Sequence, residues 1–393
     1  MNLVDNDVIV VVGAGTAGIA SALAASRRGE KVILIEKSAS LGGAVTRSLI
    51  HTLGGIFDSD CNTINEGLTV EFIERLRKAD SSTCKRKIGR LWTLVVDPET
   101  YGNVITDWVR EESNIQLCKE STITHVETRN NSVVEIELLH EGMKTTVRPK
   151  AVVDASGNAA LVRMINDELV ILESRRAAAG LIFSMVVSDR QRFSFPQNVA
   201  LLRTIRSAVQ QSILPIECWS VWFDTGVKQN EVYVKLSVPY AIDQGEADDD
   251  SALNEKVHVI RDSLVTFLRN SSLLLPESKI VTGELGVRDG FRIMGEYCLT
   301  EADVKNCRSF SDSACRGNWP LEFWDSERGV SLEYLPTNSH YEIPLRALKV
   351  CTLNNVWAAG MCLSAEQKAQ ASARVVGTCW AMGEAVGRAV SNG

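Results

Sequence analysis

Residues 7–18 read DVIVVVGAGTAG, and this stretch decides the fold. The apolar, β-branched run before Gly13 predicts a strand that is buried on both faces. The GxGxxG spacing that follows leads into a helix, and a second apolar run, residues 31–35 (KVILI), ends at Glu36. A strand, a glycine turn, a helix and an acid about 20 residues further on predict a dinucleotide-binding βαβ unit, in which the acid accepts hydrogen bonds from ribose hydroxyls.

Each position in the glycine turn has a physical role in such a unit. Gly13 permits the tight turn that leaves the strand, Gly15 lets the backbone approach a pyrophosphate, and Gly18 lets the helix pack closely on the sheet. The helix begins near Thr16 and Ala17, where free N–H groups and partial positive charge favour a bound phosphate. All five residues are therefore candidate cofactor contacts.

The residues after Glu36 help to distinguish one dinucleotide from another. Residues 37–43 (KSASLGG) join the acid to a double glycine through a short polar linker. This arrangement resembles FAD enzymes of the glutathione-reductase superfamily, in which the double glycine passes close to the pyrophosphate and the start of the ribityl chain. The resemblance implies FAD as the cofactor, with contacts from Lys37, Gly42, Gly43 and Ala44.

The middle of the chain predicts a helix, a meander and another buried strand. Residues 97–109 have helical spacing with Asp97 as the cap. Residues 122–147 alternate in three short runs that predict an antiparallel meander, and residues 150–154 form a separate buried strand. This order resembles the second flavin-contacting segment of the same enzymes, although a simple turn that ends the strand is the alternative. The resemblance implies cofactor contacts from Asp154, Ala155, Ser156 and Gly157.

A third segment lies near the C-terminus. Residues 354–360 predict a short strand with a glycine exit, and a helix rich in glycine and alanine follows from about Ser372. Because such a helix is poor by propensity, we expect its small residues to allow close approach to the flavin, with its N-terminus aimed at the pyrimidine carbonyl. The cofactor contacts expected here are Gly360, Met361, Arg374 and Val375.

The later motifs make the resemblance specific. Residues 285–297 (LGVRDGFRIMGEY), 341–346 (YEIPLR), 359–365 (AGMCLSA) and 371–375 (ASARV) resemble a family of FAD-dependent oxidoreductases. That family is distantly similar to fumarate reductase flavoproteins and geranylgeranyl reductases. The resemblance covers most of the chain outside about 165–280, and its reactions are diverse, so it implies fold and cofactor better than substrate.

The sequence thus predicts an α/β fold. It consists of an FAD-binding Rossmann-like domain with three-layer ββα architecture and an inserted α+β substrate or cap domain. We expect the FAD-binding domain to comprise residues 1–75, 95–165 and 345–393, and the cap domain to comprise residues 76–94 and 166–344.

Three residues are candidates for catalysis. His51 follows the double glycine in a loop expected beside the flavin, where it could shuttle protons, attach the flavin covalently or serve the structure alone. Tyr341 could face the ring across the cleft, as could His340. Arg288, like Arg292, could contact substrate or flavin. A structural ion pair with Glu284 or Glu296 is the equal alternative for these two arginines.

Composition excludes several other classes. The formal net charge is −7, so no basic excess favours a nucleic-acid partner. No apolar run approaches the length of about 20 residues that spans a bilayer, and no leader is evident. The ten cysteines are scattered without a Cys-x-x-Cys pair, which predicts reduced thiols in a cytoplasmic protein. The acidic run at residues 246–250 predicts a solvated loop, and no metal site is expected.

Three functions remain open. The first is a monooxygenase or dehydrogenase for a small molecule, with non-covalent FAD and NAD(P)H as a transient reductant, because only one strong GxGxxG is present. The second is a flavoprotein whose substrate is a partner protein, for example in tryptophan hydroxylation during quinone cofactor maturation. The third is a non-catalytic flavin-binding assembly factor. The oligomeric state is not predicted.

Overall fold

The computed structural model describes residues 6–240, 251–325 and 329–392. Residues 6–165 build most of the nucleotide-binding part. Its elements are β1 (Asn6–Val12), α1 (Thr16–Ser26), β2 (Val32–Ile35), α2 (Ala44–Arg47), β3 (Thr52–Leu53), α3 (Leu68–Ala79), β4 (Cys84–Ile88), β5 (Leu91–Val95), α4 (Pro98–Glu111), β6 (Ile115–Cys118), β7 (Thr122–Arg129), β8 (Ser132–His140), β9 (Met143–Asp154) and α5 (Ala160–Ile165).

The next part of the chain forms a second unit. Its elements are β10 (Val170–Ile171), β11 (Ala179–Val186), α6 (Asn198–Gln210), β12 (Trp222–Thr225), β13 (Glu231–Val238), α7 (Ser251–Asn270), β14 (Ile280–Thr282) and β15 (Arg292–Ile293). The apolar spacing of residues 253–270 predicts an amphipathic helix, and α7 confirms it. The predicted acidic loop at residues 246–250 lies outside the described residues.

The chain then returns to the nucleotide-binding part. The remaining elements are α8 (Glu301–Lys305), β16 (Ser313–Gly317), β17 (Leu321–Asp325), β18 (Gly329–Glu333), β19 (Tyr341–Pro344), β20 (Val356–Ala358), α9 (Gln367–Ala373) and α10 (Val376–Val390). None of the helices in the described ranges is long and apolar enough to cross a membrane.

The central sheet confirms the predicted α/β class and its three layers. Strands run in the order β6-β2-β1-β9-β8-β7, with β20 paired to β9. Ile9 and Val11 of β1 belong to the buried cluster on the side of α1 and α10, whereas Val8 and Val10 belong to the cluster that includes meander residues such as Ile136. Alternate residues of one strand therefore pack against the helices and the meander, as a three-layer arrangement requires.

One strand prediction was wrong in detail. Residues 143–154 form the single strand β9, whose first half pairs antiparallel with β8 and whose second half pairs parallel with β1. Pro149 lies where the register with β1 shifts. Proline lacks an N–H group, so it is tolerated where the regular hydrogen-bonding pattern is interrupted. The strand therefore continues through Pro149 and joins the two runs that the sequence pattern predicts as separate strands.

The second unit has its own core. The antiparallel sheet β12-β13-β11-β14 is covered on one face by α6 and α7. The buried residues of this core lie between Leu181 and Leu274, whereas Leu299 and Ile343 belong to the core of the nucleotide-binding part. We therefore propose that the inserted unit is shorter than residues 166–344. The exact boundaries of the two domains stay a prediction.

The C-terminal segment predicted as one helix forms two helices, and the small residues of the second pack against α1. Arg374 and Val375 separate α9 from α10. A Cβ on Gly383 or Gly387 would overlap with backbone oxygens of α1, and the Ser21 hydroxyl donates to the Gly383 carbonyl at 3.0 Å. These small residues let α10 pack closely against α1, so their close approach is to a helix and does not require a flavin.

Candidate active site

The glycine turn after β1 is built partly for the protein's own packing. Gly13 has φ +95°, and a Cβ there would lie 2.5 Å from the carbonyl oxygen of Ala155. A Cβ on Gly18 would overlap with the carbonyl oxygen of Gly13. Both positions exclude any side chain, as the predicted roles in turning and close packing require.

Gly15 differs because the protein leaves space beside it. The nearest atom to a Cβ on Gly15 is the Cα of Gly43, at 4.0 Å. Helix α1 begins here without a side-chain cap, so the backbone N–H groups of its first turn remain available. Gly15, Thr16 and Gly43 are partly exposed and Ala44 is exposed. Two facing glycines at an uncapped helix N-terminus form a cradle that fits the pyrophosphate of a dinucleotide.

Glu36 is held in position by the backbone around it. Its side chain is buried, and its oxygens accept hydrogen bonds from the N–H groups of Ala14 at 2.7 Å and Ser38 at 2.9 Å. Each carboxylate oxygen keeps a further acceptor position for a ribose hydroxyl. Lys37, the next residue, is exposed.

The cofactor contacts expected in the turn after β9 are of two kinds. Asp154 is fully buried, and its carboxylate accepts from the Ser156 hydroxyl at 2.6 Å and from the Val162 N–H at 3.1 Å. Burial raises the pKa of Asp154. This carboxyl group fixes the turn, whereas Ser156 and Gly157 are partly exposed, and no atom lies within 4 Å of a Cβ on Gly157. Ser156 and Gly157 are thus the members that a cofactor can reach.

The segment after β20 lies against the start of α1. Gly360 has φ +76°, and a Cβ there would lie 3.0 Å from the Cβ of Ala17. The next residue, Met361, is partly exposed. Gly360 therefore borders the same helix N-terminus as the glycine cradle.

The loop that follows the double glycine connects this cradle to the second unit. A Cβ on Gly54 would overlap with the ring of Trp319, and a Cβ on Gly55 would overlap with Val375. Earlier in the same loop, the Arg47 carbonyl accepts from the Glu284 N–H at 2.7 Å. Residues distant in sequence thus meet along one loop that leads away from the glycine cradle.

Arg288 and Arg374 lie at this junction. Arg288 donates to the Ala178 carbonyl at 2.6 Å and stacks 4.1 Å from the ring centre of Trp324. Burial and the charge of Arg374 lower the pKa of Arg288 to about 10. Arg374 lies 3.6 Å from a carboxylate oxygen of Glu322, and burial lowers its pKa as well.

The two ion pairs offered as alternatives for the arginines do not form within the described residues. Glu284 pairs with Arg47 at 3.2 Å. Arg292 is buried, and it donates to Glu173 and to the Ala365 carbonyl, each at 2.8 Å. Arg292 therefore links two segments of the fold, whereas Arg288 has no ion pair in the part of the chain that the structure describes.

His51 is buried beneath the sheet of the second unit. Its ring stacks on Tyr233 at 3.6 Å, and its Nε2 lies 3.3 Å from a carboxylate oxygen of Asp224. Asp224 also pairs with Arg86 at 2.8 Å and with Lys235 at 3.1 Å. Burial lowers the pKa of His51 to about 4, so the imidazole is neutral at pH 7. Of the three roles considered for His51, this enclosure favours the structural one.

The depressed pKa of His51 predicts a pH-dependent stability. The unfolded chain binds a proton at this residue near its ordinary value of 6.5, whereas the folded chain binds it only near 4. Stability from this residue is therefore present above 6.5 and is lost as the pH falls towards 4, by about 2 kcal/mol between pH 7.5 and 5. Urea unfolding of the wild type and His51→Phe across this range measures the difference.

The comparison has a matched control. His125 is exposed, so His125→Phe should keep the pH dependence of the wild type. Equal pH dependence in His51→Phe and the wild type would show that His51 is not held neutral by burial.

Tyr341 is fully buried and does not open onto the junction. Its hydroxyl lies 2.8 Å from that of Ser372, which donates in turn to the Trp319 carbonyl. Burial raises the pKa of Tyr341 well above its usual range. Tyr341 thus supports the segment that carries Trp319, and its neighbour His340 is half-buried.

Sequence reasoning missed several residues of the site. Asp224 and Lys235 belong to the site because the face of β12 and β13 that α6 and α7 leave uncovered lies against the His51 loop. Glu322 is placed by the strand β17, directly after Trp319 and Pro320. The run WPLEFW at residues 319–324, with a carboxylate between two tryptophans, was the available signal. The described residues contain no cluster of His, Cys, Asp or Glu that could hold a metal ion.

The fold and the cradle together define an FAD-dependent oxidoreductase. The chain belongs to the FAD dependent oxidoreductase family, whose pattern matches residues 7–392. No curated protein sequence matches the chain.

Two solved structures are similar to the chain at low identity. The chain is similar to a geranylgeranyl bacteriochlorophyll reductase-like protein from Thermoplasma acidophilum, with 13% identity over 99% of this chain and 78% of that chain, and a TM-score of 0.50. It is also similar to PqsL, a probable FAD-dependent monooxygenase from Pseudomonas aeruginosa, with 11% identity over 99% and 85% of the two chains and a TM-score of 0.45. The likeness to the reductase-like protein shows a common fold and does not define a substrate.

Proposed function

We propose that this protein is a monooxygenase or dehydrogenase that acts on a small molecule held between non-covalent FAD and the sheet of the second unit. The observation that carries the proposal is the group of side chains at the junction: Trp319 packs on Gly54 of the double-glycine loop, Glu322 contacts both Trp319 and Arg374, and Arg288 stacks on Trp324. Side chains of this kind, partly buried and polar within aromatic walls, are typical of small-molecule sites.

The bound flavin would supply the redox chemistry by accepting two electrons and passing them on. The protein's own residues do the remaining work. Gly15 and Gly43 hold the pyrophosphate, Glu36 holds the ribose, and the cationic side chains of Arg288 and Arg374 favour negative charge at the junction.

The enclosure of His51 supports non-covalent binding. A covalent link needs an exposed nucleophilic atom beside the flavin, whereas the His51 ring is stacked on Tyr233 and directed to Asp224. The neutral imidazole packs against Tyr233 and so helps to join the His51 loop to the second unit.

The close contacts at the junction favour a small molecule over a partner protein. Trp319 packs against Gly54, and Arg288 lies between Trp324 and Gly180 of β11, so the walls come from both units at close range. A polypeptide would need an open cleft between them. This enclosure also favours an enzyme over a passive flavin carrier, because carriage alone does not require buried cations beside the ring.

Anaerobic stopped-flow reduction tests the proposal. We expect NADH or NADPH to bleach the flavin band transiently, without tight binding of the nicotinamide to FAD-free protein, since only one dinucleotide cradle is proposed. Reoxidation by oxygen with and without candidate substrates then separates hydroxylation from dehydrogenation. A flavin that neither nicotinamide nor any small-molecule donor reduces would overturn the proposal and favour the assembly factor.

A further inference from the structure

Arg288 is a buried cation at the junction without an ion pair among the residues that the structure describes. Its neighbour Arg374 lies 3.6 Å from Glu322, which also accepts from the Trp319 indole N–H at 3.1 Å, and the charge of Asp289 acts on Arg374 as well. A second group of buried cations is formed by Arg86 and Lys235, which share Asp224.

Among these four cations, Arg288 is the one whose direct contacts include no carboxylate. Its interactions are a backbone carbonyl and the face of Trp324, and neither carries a negative charge. A Cβ on Gly180 would lie 2.8 Å from its Nη2, so the absent side chain at Gly180 leaves room for the guanidinium. The positive charge of Arg288 is repelled by that of Arg374 and by that of Lys235, which adds to the cost of burying Arg288.

Buried cations without partners are costly, and an anion that binds between them relieves that cost. Arginine is suited to this because its planar guanidinium donates two parallel hydrogen bonds to a carboxylate. Arg288 uses Nη1 for the Ala178 carbonyl and has no carboxylate partner among the described residues, so its remaining N–H groups are the donors that such a ligand would take.

We infer that Arg288 and Arg374 form an anion subsite that binds a carboxylate group of the substrate. The inference rests on the proposed function, because it identifies the substrate class of the same site. The carboxylate lies between the two guanidinium groups, and Trp319 and Trp324 supply the apolar wall beside it. The negative charge of a reduced flavin is the competing use for the same cations.

A binding experiment on the FAD-loaded protein separates these uses. Acetate, succinate and benzoate are titrated beside acetamide, succinamide and benzamide, and binding is followed by the flavin difference spectrum and by calorimetry. We expect at least one carboxylate to bind at least about tenfold more tightly than its amide, as loss of a charge-assisted hydrogen bond implies.

Variants assign that preference to the arginines. Arg288→Gln should weaken carboxylate binding more than amide binding and so remove most of the preference, and Arg288→Lys should restore part of it. Arg316→Gln is the matched control, because Arg316 is exposed and its side chain makes none of these contacts. Arg374→Gln serves as a second variant if Arg288→Gln fails to fold.

Three results would overturn the inference. They are equal binding of every acid and its amide, no binding of any acid, and a preference that survives in both Arg288→Gln and Arg374→Gln. If the variants weaken FAD binding yet keep the preference, the arginines serve the flavin alone and the inference is wrong. Failure of the proposed function would appear separately, as a flavin that no donor reduces despite a normal carboxylate preference.

Discussion

Replacing Gly15 by alanine is expected to weaken FAD binding by about 100-fold or more while leaving the folded protein nearly as stable. The backbone at Gly15 is extended, with φ −75° and ψ −177°, so alanine is not strained there. The nearest protein atom to the added Cβ is 4.0 Å away, so the protein itself accommodates it. The new methyl group would occupy the cradle in which the pyrophosphate must approach the backbone.

The neighbouring glycine provides the contrast. Gly18→Ala places a Cβ in overlap with the carbonyl oxygen of Gly13, so this variant should lose about 3 kcal/mol or more of stability even without FAD. Flavin fluorescence quenching gives the affinity, and urea unfolding of the FAD-free protein gives the stability. If Gly15→Ala binds FAD as tightly as the wild type does, the cradle is not the pyrophosphate site.

Asp224→Ala should destabilise the protein by about 3 to 5 kcal/mol, because it leaves buried cations without their shared anion. Asp224 is mostly buried, and Arg86, Lys235 and His51 surround its carboxylate. These partners hold the pKa of Asp224 well below its usual range. The stabilisation it gives is therefore present above the ordinary carboxyl pKa and is lost only in strong acid.

A surface pair makes the matched control for this variant. Asp262 pairs with Arg261 at 2.7 Å, but its side chain is 63% exposed. Asp262→Ala should therefore cost less than about 1 kcal/mol. Urea unfolding at pH 7 measures both variants, and a loss below about 1 kcal/mol for Asp224→Ala would show that the network is not a structural link between the loop and the second unit.

The sequence was informative wherever a function depends on neighbours along the chain. The GxGxxG turn, Glu36 and the double glycine lie within residues 13–43, so local spacing was enough to predict the dinucleotide-binding unit, and the resemblance of residues 37–43 to known FAD enzymes implied the cofactor. The break between α9 and α10 was not predicted, because residues 372–387 have a continuous small-residue pattern that the packing against α1 explains.

Residues whose partners are distant were predicted less well. His51 is next to a glycine-rich loop in sequence, and nothing local shows that Tyr233 and Asp224 will enclose it. Glu322 and Trp319 lie about midway between two recognised motifs, and their place beside Arg374 follows from tertiary packing alone. The pattern of residue types predicted Arg288 as a candidate, but only the structure shows that it lacks an ion pair among the described residues.

An absorbance spectrum of the purified protein, recorded before and after acid precipitation, tests whether the chain holds FAD non-covalently. We expect paired flavin bands that move entirely to the supernatant, where the released cofactor is identified as FAD. A colourless protein that cannot be reconstituted with FAD would contradict the cradle at Gly15 and Gly43, and colour retained in the pellet would contradict non-covalent binding.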